Sequence, residues 1–192
     1  MSTLKIVIAS TRPGRIGLPI GTWITGRAQQ HGGFDRVEVL DLAEIALPFF
    51  DEPNHPRARD YQHDHTRAWS AQVDDADAFV FVTPEYNHGL TAPLKNALDY
   101  LVAEWAHKPL GIVSYGGISA GTRAAQMIKQ IAAALKLHAI PEAVTLANPF
   151  PQVVDGEFVA TQANDEAADA MLDELVRVEA ALAPLRTAAS HS

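Results

Sequence analysis

The sequence predicts a doubly wound α/β fold, with a five-stranded parallel sheet in the order 2-1-3-4-5 and helices on both faces. Two observations lead to this prediction. Short apolar segments alternate along the chain with segments of helical periodicity, as in strands joined by crossover helices. The first, third and fourth apolar segments are the most apolar, which is typical of central strands buried on both faces. The order 2-1-3-4-5 places those three strands in the middle of the sheet.

Each element follows from a local pattern. Apolar and β-branched runs predict strands at Leu4–Ala9, Val37–Leu40, Ala78–Val82 and Leu110–Ser114, and a fifth within His138–Leu146, which Pro141 interrupts. Helical spacing and boundary signals predict helices over about Leu18–Gln30, Thr66–Ala76, Pro93–Ala103 and Ala120–Leu137, and from about Asn164 onward. Loops are expected at Asn148–Gly156 and, with two prolines and many charges, at Phe49–His65. A short helical turn is expected within Asp41–Pro48.

Bulk properties narrow the class of protein. The 192 residues show no repeat or linker, so one domain over residues 1–192 is expected. The net charge of −8 argues against a nucleic-acid partner, because phosphate contacts need clustered lysine and arginine. The absence of cysteine excludes disulfides, iron–sulfur clusters and a cysteine nucleophile. The N-terminus leaves no room for a signal peptide and no apolar run approaches a membrane span of about 20 residues, so a cytoplasmic protein without a membrane partner is expected.

The loop after strand 1, Ser10 to Gly17, predicts an anion site. It carries two hydroxyls, two arginines and two glycines directly before a helix. Unpaired N–H groups and the helix dipole attract a phosphate there, and arginine adds bidentate contacts. A solvated turn that merely caps the helix is the alternative. Asp41 ends strand 2 where a dinucleotide fold places its ribose-binding acid, so a dinucleotide site is a further alternative, although G-x-G-x-x-G is missing.

The loop after strand 3, Pro84 to Gly89, predicts contact with a flat heterocycle. Ligands of open α/β sheets bind outside the carboxyl ends of the strands. Backbone amides and carbonyls of this loop can pair with a ring, with Tyr86 or His88 beside it. The alternative is a rigid turn in which Glu85 and Asn87 cap the following helix.

The loop after strand 4 admits two interpretations. Adjacent glycines, Gly116 and Gly117, let the backbone approach a ligand closely. Residues 117–121 also match the G-x-S-x-G nucleophile elbow of α/β hydrolases, with Ser119 as nucleophile. A triad would need His138 or His191, but one begins a predicted strand and the other is next to the last residue. A Ser119 hydrolase is therefore the weaker interpretation.

Together these loops resemble the NAD(P)H-dependent FMN reductase family, which includes azo-dye, quinone and chromate reductases on a flavodoxin-like fold. The motifs that carry the resemblance are Ser10-Thr11-Arg12-Pro13-Gly14-Arg15, Pro84-Glu85-Tyr86-Asn87 with Leu94-Lys95-Asn96-Ala97-Leu98-Asp99, Trp105-Ala106-His107-Lys108-Pro109, and Ser114-Tyr115-Gly116-Gly117 with Gly121-Thr122-Arg123-Ala124. They occur in the family's order, each at the expected strand end, and span about Lys5 to Pro141. Many relatives have serine then asparagine where this chain has Arg15 and Gly17.

The resemblance implies FMN bound without a covalent link, with NADPH or NADH as co-substrate and a small-molecule electron acceptor. It implies that hydride passes to the flavin and then to a quinone, azo, flavin or metal-oxyanion acceptor, with no catalytic side chain and no metal. The helix N-terminus after the third loop would stabilise the anionic reduced flavin. A homodimer or homotetramer is expected. The implied cofactor-binding residues are Ser10, Arg12, Arg15, Ile16, Gly17, Pro84, Glu85, Tyr86, Asn87, His88, Ser114, Gly116 and Gly117.

Other functions fit the sequence less well. A flavodoxin-type electron carrier shields its flavin between aromatics, whereas the loop after strand 3 offers one aromatic, Tyr86. A receiver domain shares the sheet order but needs an aspartate where strand 3 ends in Thr83 and Pro84. The long loop contains three histidines, His55, His63 and His65, which could bind a metal but are more typical of a solvated segment. The same region contains Arg57, Arg59 and Arg67, which are candidates for binding the phosphate of a nicotinamide dinucleotide.

Overall fold

Five parallel strands form the central sheet of the computed structural model, which describes residues 1–189. Their order is β2-β1-β3-β4-β5, which confirms the predicted order. The strands are β1 (Thr3–Ile8), β2 (Arg36–Asp41), β3 (Ala78–Pro84), β4 (Pro109–Gly116) and β5 (His138–Ala147). Every residue of β1 and β3 is buried, as expected for central strands covered on both faces.

Helices cover both faces of the sheet. They are α1 (Gly17–His31), α2 (Leu42–Ile45), α3 (Asp64–Asp74), α4 (Ala92–Asp99), α5 (Thr122–Ala134) and α6 (Gln162–Ala189). Ile20 and Ile24 of α1 share one core with Met171 and Leu175 of α6. The opposite face packs against α3, α4 and α5, around Trp69, Leu98 and Ile128. Within residues 1–189, no helix combines the length and the apolar character needed to cross a bilayer.

The helix boundaries differ from the predicted ones where backbone geometry intervenes. α5 begins at Thr122 rather than at Ala120, because Gly121 has a left-handed φ of 79°. α4 ends at Asp99, and a separate 3-10 turn, Ala103–Trp105, precedes β4. The long loop after β2 contains another 3-10 turn, Pro56–Ala58.

The C-terminal third of the chain holds two departures from expectation. β5 continues through Pro141, where its register with β4 shifts between Leu110 and Ile112. Because β5 is an edge strand, a proline and an irregular register can be accommodated there. The predicted loop at Asn148–Gly156 includes β6 (Val153–Val154), which pairs antiparallel with β7 (Glu157–Phe158).

Candidate active site

The three loops after β1, β3 and β4 meet at the carboxyl edge of the sheet. Ala9 N donates to Val82 O at 3.0 Å, which extends the pairing of β1 and β3. The Thr91 hydroxyl, at the end of the loop after β3, donates to Ala9 O at 2.9 Å. Glu85 N donates to Tyr115 O at 3.0 Å and joins the loops after β3 and β4. The loops therefore form one continuous surface.

Ser10 and Gly17 pack closely at the base of the first loop. A Cβ at residue 17 would lie 2.2 Å from Ser10 Oγ and 2.5 Å from the Tyr115 hydroxyl, so only glycine fits. Burial raises the pKa of Tyr115 to about 12, which keeps its phenol neutral at physiological pH. Ser10 is fully buried, and its Oγ makes no well-aligned hydrogen bond within residues 1–189. A buried hydroxyl without a well-aligned hydrogen bond is available to bond a ligand.

The N-terminus of α1 offers further donors. Its N-cap residue, the partly buried Ile16, makes no side-chain cap hydrogen bond, and the first turn holds no acidic side chain. Just before it, Arg15 N donates to Arg12 O at 3.1 Å, which closes a turn. Uncapped N–H groups at the positive end of a helix favour an anion. The first loop therefore fits a phosphate group.

The Arg15 side chain stabilises the loop after β1 by hydrogen bonds to Asp41 and to the backbone of Ser10. Its guanidinium donates to both carboxylate oxygens of Asp41, at 2.6 and 2.5 Å, and to Ser10 O at 2.6 Å. Both side chains are largely buried. The Asp41 carboxylate is thus engaged at the end of β2, which does not support the dinucleotide alternative. A phosphate contact from Arg15 stays a prediction and would have to use its remaining donors or its backbone.

Arg12 differs from Arg15 in its surroundings. It is exposed, and within the described part of the chain its side chain makes neither an ion pair nor a hydrogen bond. Its positive charge partly offsets the rise in the pKa of Tyr115 that burial causes, and its carbonyl accepts from Arg15 N in the same loop. Arg12 is therefore the arginine of this loop whose side chain is available to an anion.

The loop after β3 ends in a tight turn with strained backbone. Tyr86 N donates to Gly89 O and Gly89 N to Tyr86 O, both at 3.0 Å. The two central residues, Asn87 and His88, have φ of 49° and 68°, which is the geometry of a type I′ turn. All three residues at 86–88 are exposed. Non-glycine residues held at positive φ are common at binding sites.

The Glu85 side chain contacts α5 rather than α4. Its carboxylate accepts hydrogen bonds from Arg123 Nε at 2.5 Å, from Arg123 N at 3.1 Å and from Ser119 Oγ at 3.1 Å. It therefore caps α5, while Thr91 Oγ1 caps α4 by accepting from Leu94 N at 3.3 Å. The Glu85 carboxylate accepts from one N–H group at the N-terminus of α5, so stabilisation of an anionic flavin by this helix stays a prediction.

The loop after β4 is held by its own polar groups. The buried Ser114 hydroxyl donates to Ala120 O at 2.9 Å, so this predicted cofactor residue has a role inside the protein. Gly121 is required for the sharp return, because a Cβ there would lie 2.7 Å from Tyr115 N. The backbone of the half-buried Gly116 and the exposed Gly117 is what the loop presents to a ligand.

Within residues 1–189, Ser119 has no histidine partner. Its hydroxyl donates to Glu85 and accepts from Arg123 Nη2 at 2.8 Å. His138 is the first residue of β5 and lies at the opposite, amino edge of the sheet. His191 lies outside the described residues. The G-x-S-x-G match is therefore not a nucleophile elbow with a general base in the described chain.

The histidines of the long loop make ordinary surface contacts. His65 Nε2 lies 2.9 Å from Asp51 Oδ1, and its ring stacks on His63 with centroids 5.2 Å apart. His55 Nδ1 accepts from Arg57 N at 3.1 Å. Residues 1–189 contain no group of three side chains arranged to hold a metal ion.

The arginines of the long loop do not converge on the site. Arg59 pairs with Asp74 at 2.9 Å and with the buried Glu104 at 3.3 Å, next to the amino edge of the sheet. Arg67 pairs with Asp64, three residues before it. Neither geometry supports the hypothesis that Arg59 and Arg67 bind a nicotinamide dinucleotide phosphate, and for Arg57 the hypothesis stays a prediction.

The sequence did not reveal the structural roles of four residues that organise the site: Asp41, Thr91, Tyr115 and Arg123. Thr91 had a usable signal, because a threonine followed by proline in the first turn is a helix start. The partners of Tyr115 and Arg123 lie on loops distant in sequence, so no local pattern reveals them.

Comparison with known proteins decides the family. Residues 2–150 match the family model described as NADPH-dependent FMN reductase. The chain belongs to the NADPH-dependent FMN reductase family. It is accordingly an FMN-dependent NAD(P)H oxidoreductase, and the alternatives of an electron carrier and a hydrolase are set aside.

Individual members of the family agree with this assignment. An NAD(P)H-dependent FMN reductase of Schizosaccharomyces pombe is 41% identical over 155 residues, which cover 80% of this chain and 76% of the relative. A probable NADPH:quinone oxidoreductase of Oryza sativa subsp. japonica is 32% identical over 145 residues, covering 72% and 68%. The fold matches a flavoenzyme NAD(P)H:(acceptor) oxidoreductase from Paracoccus denitrificans with a TM-score of 0.72 at 18% identity, over 95% of this chain and 99% of that one.

Proposed function

We propose that this FMN reductase transfers electrons from NAD(P)H to quinone-like acceptors at the carboxyl edge of its sheet. The observation that carries the proposal is the meeting of three loops beside an uncapped α1 N-terminus and a buried Ser10 hydroxyl that makes no well-aligned hydrogen bond within residues 1–189. A relative named as a quinone oxidoreductase supports the acceptor class. When bound, FMN supplies a centre that accepts a hydride from NAD(P)H and passes electrons on to the acceptor.

The protein's own task is to bind and orient. In our proposal, the Ser10 hydroxyl, the free N–H groups around Ile16 and Gly17, and the Arg12 guanidinium hold the phosphate. Arg15 contributes by keeping the loop in shape through Asp41.

The other two loops would lie along the ring. The backbone of residues 84–88 would line one side of the flavin ring system, and the backbone of Gly116 and Gly117 would line the other side. Tyr86 and His88 are exposed on this turn, where they can contact an acceptor. Because this arrangement needs no side chain as acid or base, we assign no catalytic residue.

Absorption spectroscopy tests the function directly. The purified protein is mixed with FMN, freed of unbound flavin, and then given NADPH or NADH without oxygen. A retained flavin band that bleaches on addition and returns with a benzoquinone is the expected result. A protein that retains no flavin contradicts the proposed site, and a retained flavin that neither nucleotide bleaches contradicts the proposed reaction.

We also propose a homodimer or homotetramer, located in the cytoplasm. An open groove of about 840 Å³ lies between α4, α5 and the long loop, and Leu98, Leu101, Ile131 and Leu135 are among the residues that line it. Apolar grooves of this kind mark association surfaces, and a second copy of the chain is the partner that the family resemblance implies.

A further inference from the structure

Glu85, Ser119 and Arg123 form a closed cluster of polar side chains at the edge of the candidate site. Glu85 Oε1 accepts from Arg123 Nε and Ser119 Oγ, and Glu85 Oε2 accepts from Arg123 N. Arg123 Nη2 donates in turn to Ser119 Oγ at 2.8 Å. The Glu85 side chain is 5% exposed, so the carboxylate is almost fully committed to the other two residues.

The cluster joins two loops that have few other links. Glu85 directly precedes the turn at residues 86–89, whereas Ser119 and Arg123 belong to the loop after β4 and the first turn of α5. The backbone adds one further bond, from Glu85 N to Tyr115 O. The Met127 side chain of α5 lies next to Gly89, and the Glu85 cluster supplies the polar side-chain contacts that hold the 86–89 turn against α5.

The contact between Glu85 and α5 depends on the positive charge of Arg123. A buried carboxylate is costly unless opposite charge and N–H donors surround it. Burial alone would raise the pKa of Glu85, but hydrogen bonds from Arg123, Ser119 and the α5 backbone hold it below its usual value. Glu85 therefore stays ionised, and the cluster carries no net charge beside the flavin loops.

We propose that Glu85, Ser119 and Arg123 are positioning residues that fix the 86–89 turn against α5 and so determine how tightly the chain holds FMN. This inference rests on the proposed placement of FMN at this edge. It gives the serine of the G-x-S-x-G motif a role without nucleophilic chemistry. It also assigns the Glu85 carboxylate to α5 rather than to the cofactor.

The first test uses the protein without FMN, by hydrogen–deuterium exchange of the amides of Tyr86 and Gly89, which bond each other across the turn. Arg123→Met leaves the buried Glu85 carboxylate without a cationic partner, although Ser119 and the backbone N–H of residue 123 can still donate to it, so we expect about tenfold faster exchange at both amides. Arg123→Lys keeps the charge but not the fork of donors, and should fall between Arg123→Met and wild type. Unchanged exchange in Arg123→Met would overturn the proposal.

A matched control separates this effect from the loss of any arginine on a helix. Arg177 on α6 is 78% exposed and pairs with Glu174 three residues before it. Exposed pairs of this type contribute little to stability. Arg177→Met should therefore leave exchange at residues 86–89 as in wild type, and faster exchange in this variant would contradict a local role for the cluster.

FMN affinity provides the second test, by fluorescence titration of the refolded apoprotein. We expect the dissociation constant for FMN to rise about tenfold for Arg123→Met, because a buried carboxylate loses its cationic partner. We expect a smaller rise for Glu85→Gln, because the arginine that loses its partner there is accessible to solvent. The double variant should be no weaker than Arg123→Met, because both changes remove one interaction. If the Glu85 carboxylate contacted FMN itself, Glu85→Gln would weaken FMN binding strongly and Arg123→Met would not. That result would overturn the proposal.

The two tests distinguish this inference from the proposed function. If wild type binds no FMN, the proposed site fails, while the exchange experiment still reports on the cluster. If wild type binds FMN and neither variant changes turn exchange or affinity, the cluster proposal alone fails.

Discussion

At the scale of single residues, the identity of a side chain predicted its location better than its role. Arg15 and Glu85 both lie at the site where the sequence placed them. Their charged groups, however, are committed to Asp41 and Arg123. These partners lie 26 and 38 positions away, so the sequence could not show which of two arginines in the first loop remains available.

Asp41 should stabilise the protein through Arg15 in a pH-dependent manner. Burial opposes its charge, but hydrogen bonds from Arg15 and Ala43 N hold the pKa of Asp41 below its usual value. A lowered carboxyl pKa contributes stability above the unfolded value of about 3.9, and the contribution is lost as pH falls through the lower folded value. Asp41→Asn should therefore reduce the free energy of unfolding by about 2–3 kcal/mol at pH 7, less than deleting a whole buried partner costs.

Urea denaturation between pH 2.5 and 7 measures this effect. The difference between wild type and Asp41→Asn should shrink below about pH 4. Asp64→Asn is the control, because Asp64 is 96% exposed and its pair with Arg67 should contribute little. A difference that is constant with pH would show that the Asp41 charge is not what stabilises the loop.

Arg12 should bind the phosphate of FMN. Arg12→Ala removes a charge-assisted contact, so the dissociation constant for FMN should rise about tenfold, and Arg12→Lys should lose less. Riboflavin lacks the phosphate, so its affinity should be the same in all three proteins. Titration of both flavins measures this, and an Arg12→Ala variant with wild-type FMN affinity would show that the phosphate binds elsewhere.

At the scale of elements, the five sheet strands and the main helices were predictable from periodicity, and the boundaries were not. Continuous apolar runs at β1, β3 and β4 report directly on burial from both sides. The β6–β7 hairpin was missed because two-residue strands carry no periodic signal. The start of α5 depends on the left-handed backbone of Gly121. A glycine is required there because a Cβ would clash with Ser114 and Tyr115.

Thr91 should be the residue that couples α4 to the sheet. Its buried hydroxyl accepts from Leu94 N and donates to Ala9 O, so one atom serves both as the helix cap and as a link to β1. Thr91→Val keeps the shape but leaves a buried carbonyl and an N–H unpaired, and should cost about 1–2 kcal/mol of unfolding free energy.

Thr91→Ser retains the hydroxyl and provides the comparison. It should cost clearly less than Thr91→Val when both are measured by urea denaturation. Equal losses in the two variants would mean that the methyl group, not the hydroxyl, contributes the stability at this position.

At the scale of the whole molecule, the sheet order alone brought the three loops together. Once the order 2-1-3-4-5 is known, the loops after β1, β3 and β4 must share the carboxyl edge. The path of the long loop followed no such rule. It starts beside α4 and carries Arg59 to Asp74 near the amino edge, and only its tertiary contacts reveal that path.

The apolar groove between α4 and α5 should be covered by a second copy of the chain. Ala134 lines this groove and is exposed, so Ala134→Glu adds a charge to it without disturbing the core. We expect wild type to have at least twice the 20.7 kDa chain mass in light scattering, and Ala134→Glu to shift toward the monomer. Ala133→Glu is the matched control, since Ala133 is exposed on the same turn but does not line the groove. Both substitutions place an unfavourable carboxylate near the C-terminus of α5, so helix stability is affected equally. A wild-type protein that is monomeric, or an assembly that both variants retain, would show that this groove is not an interface between copies.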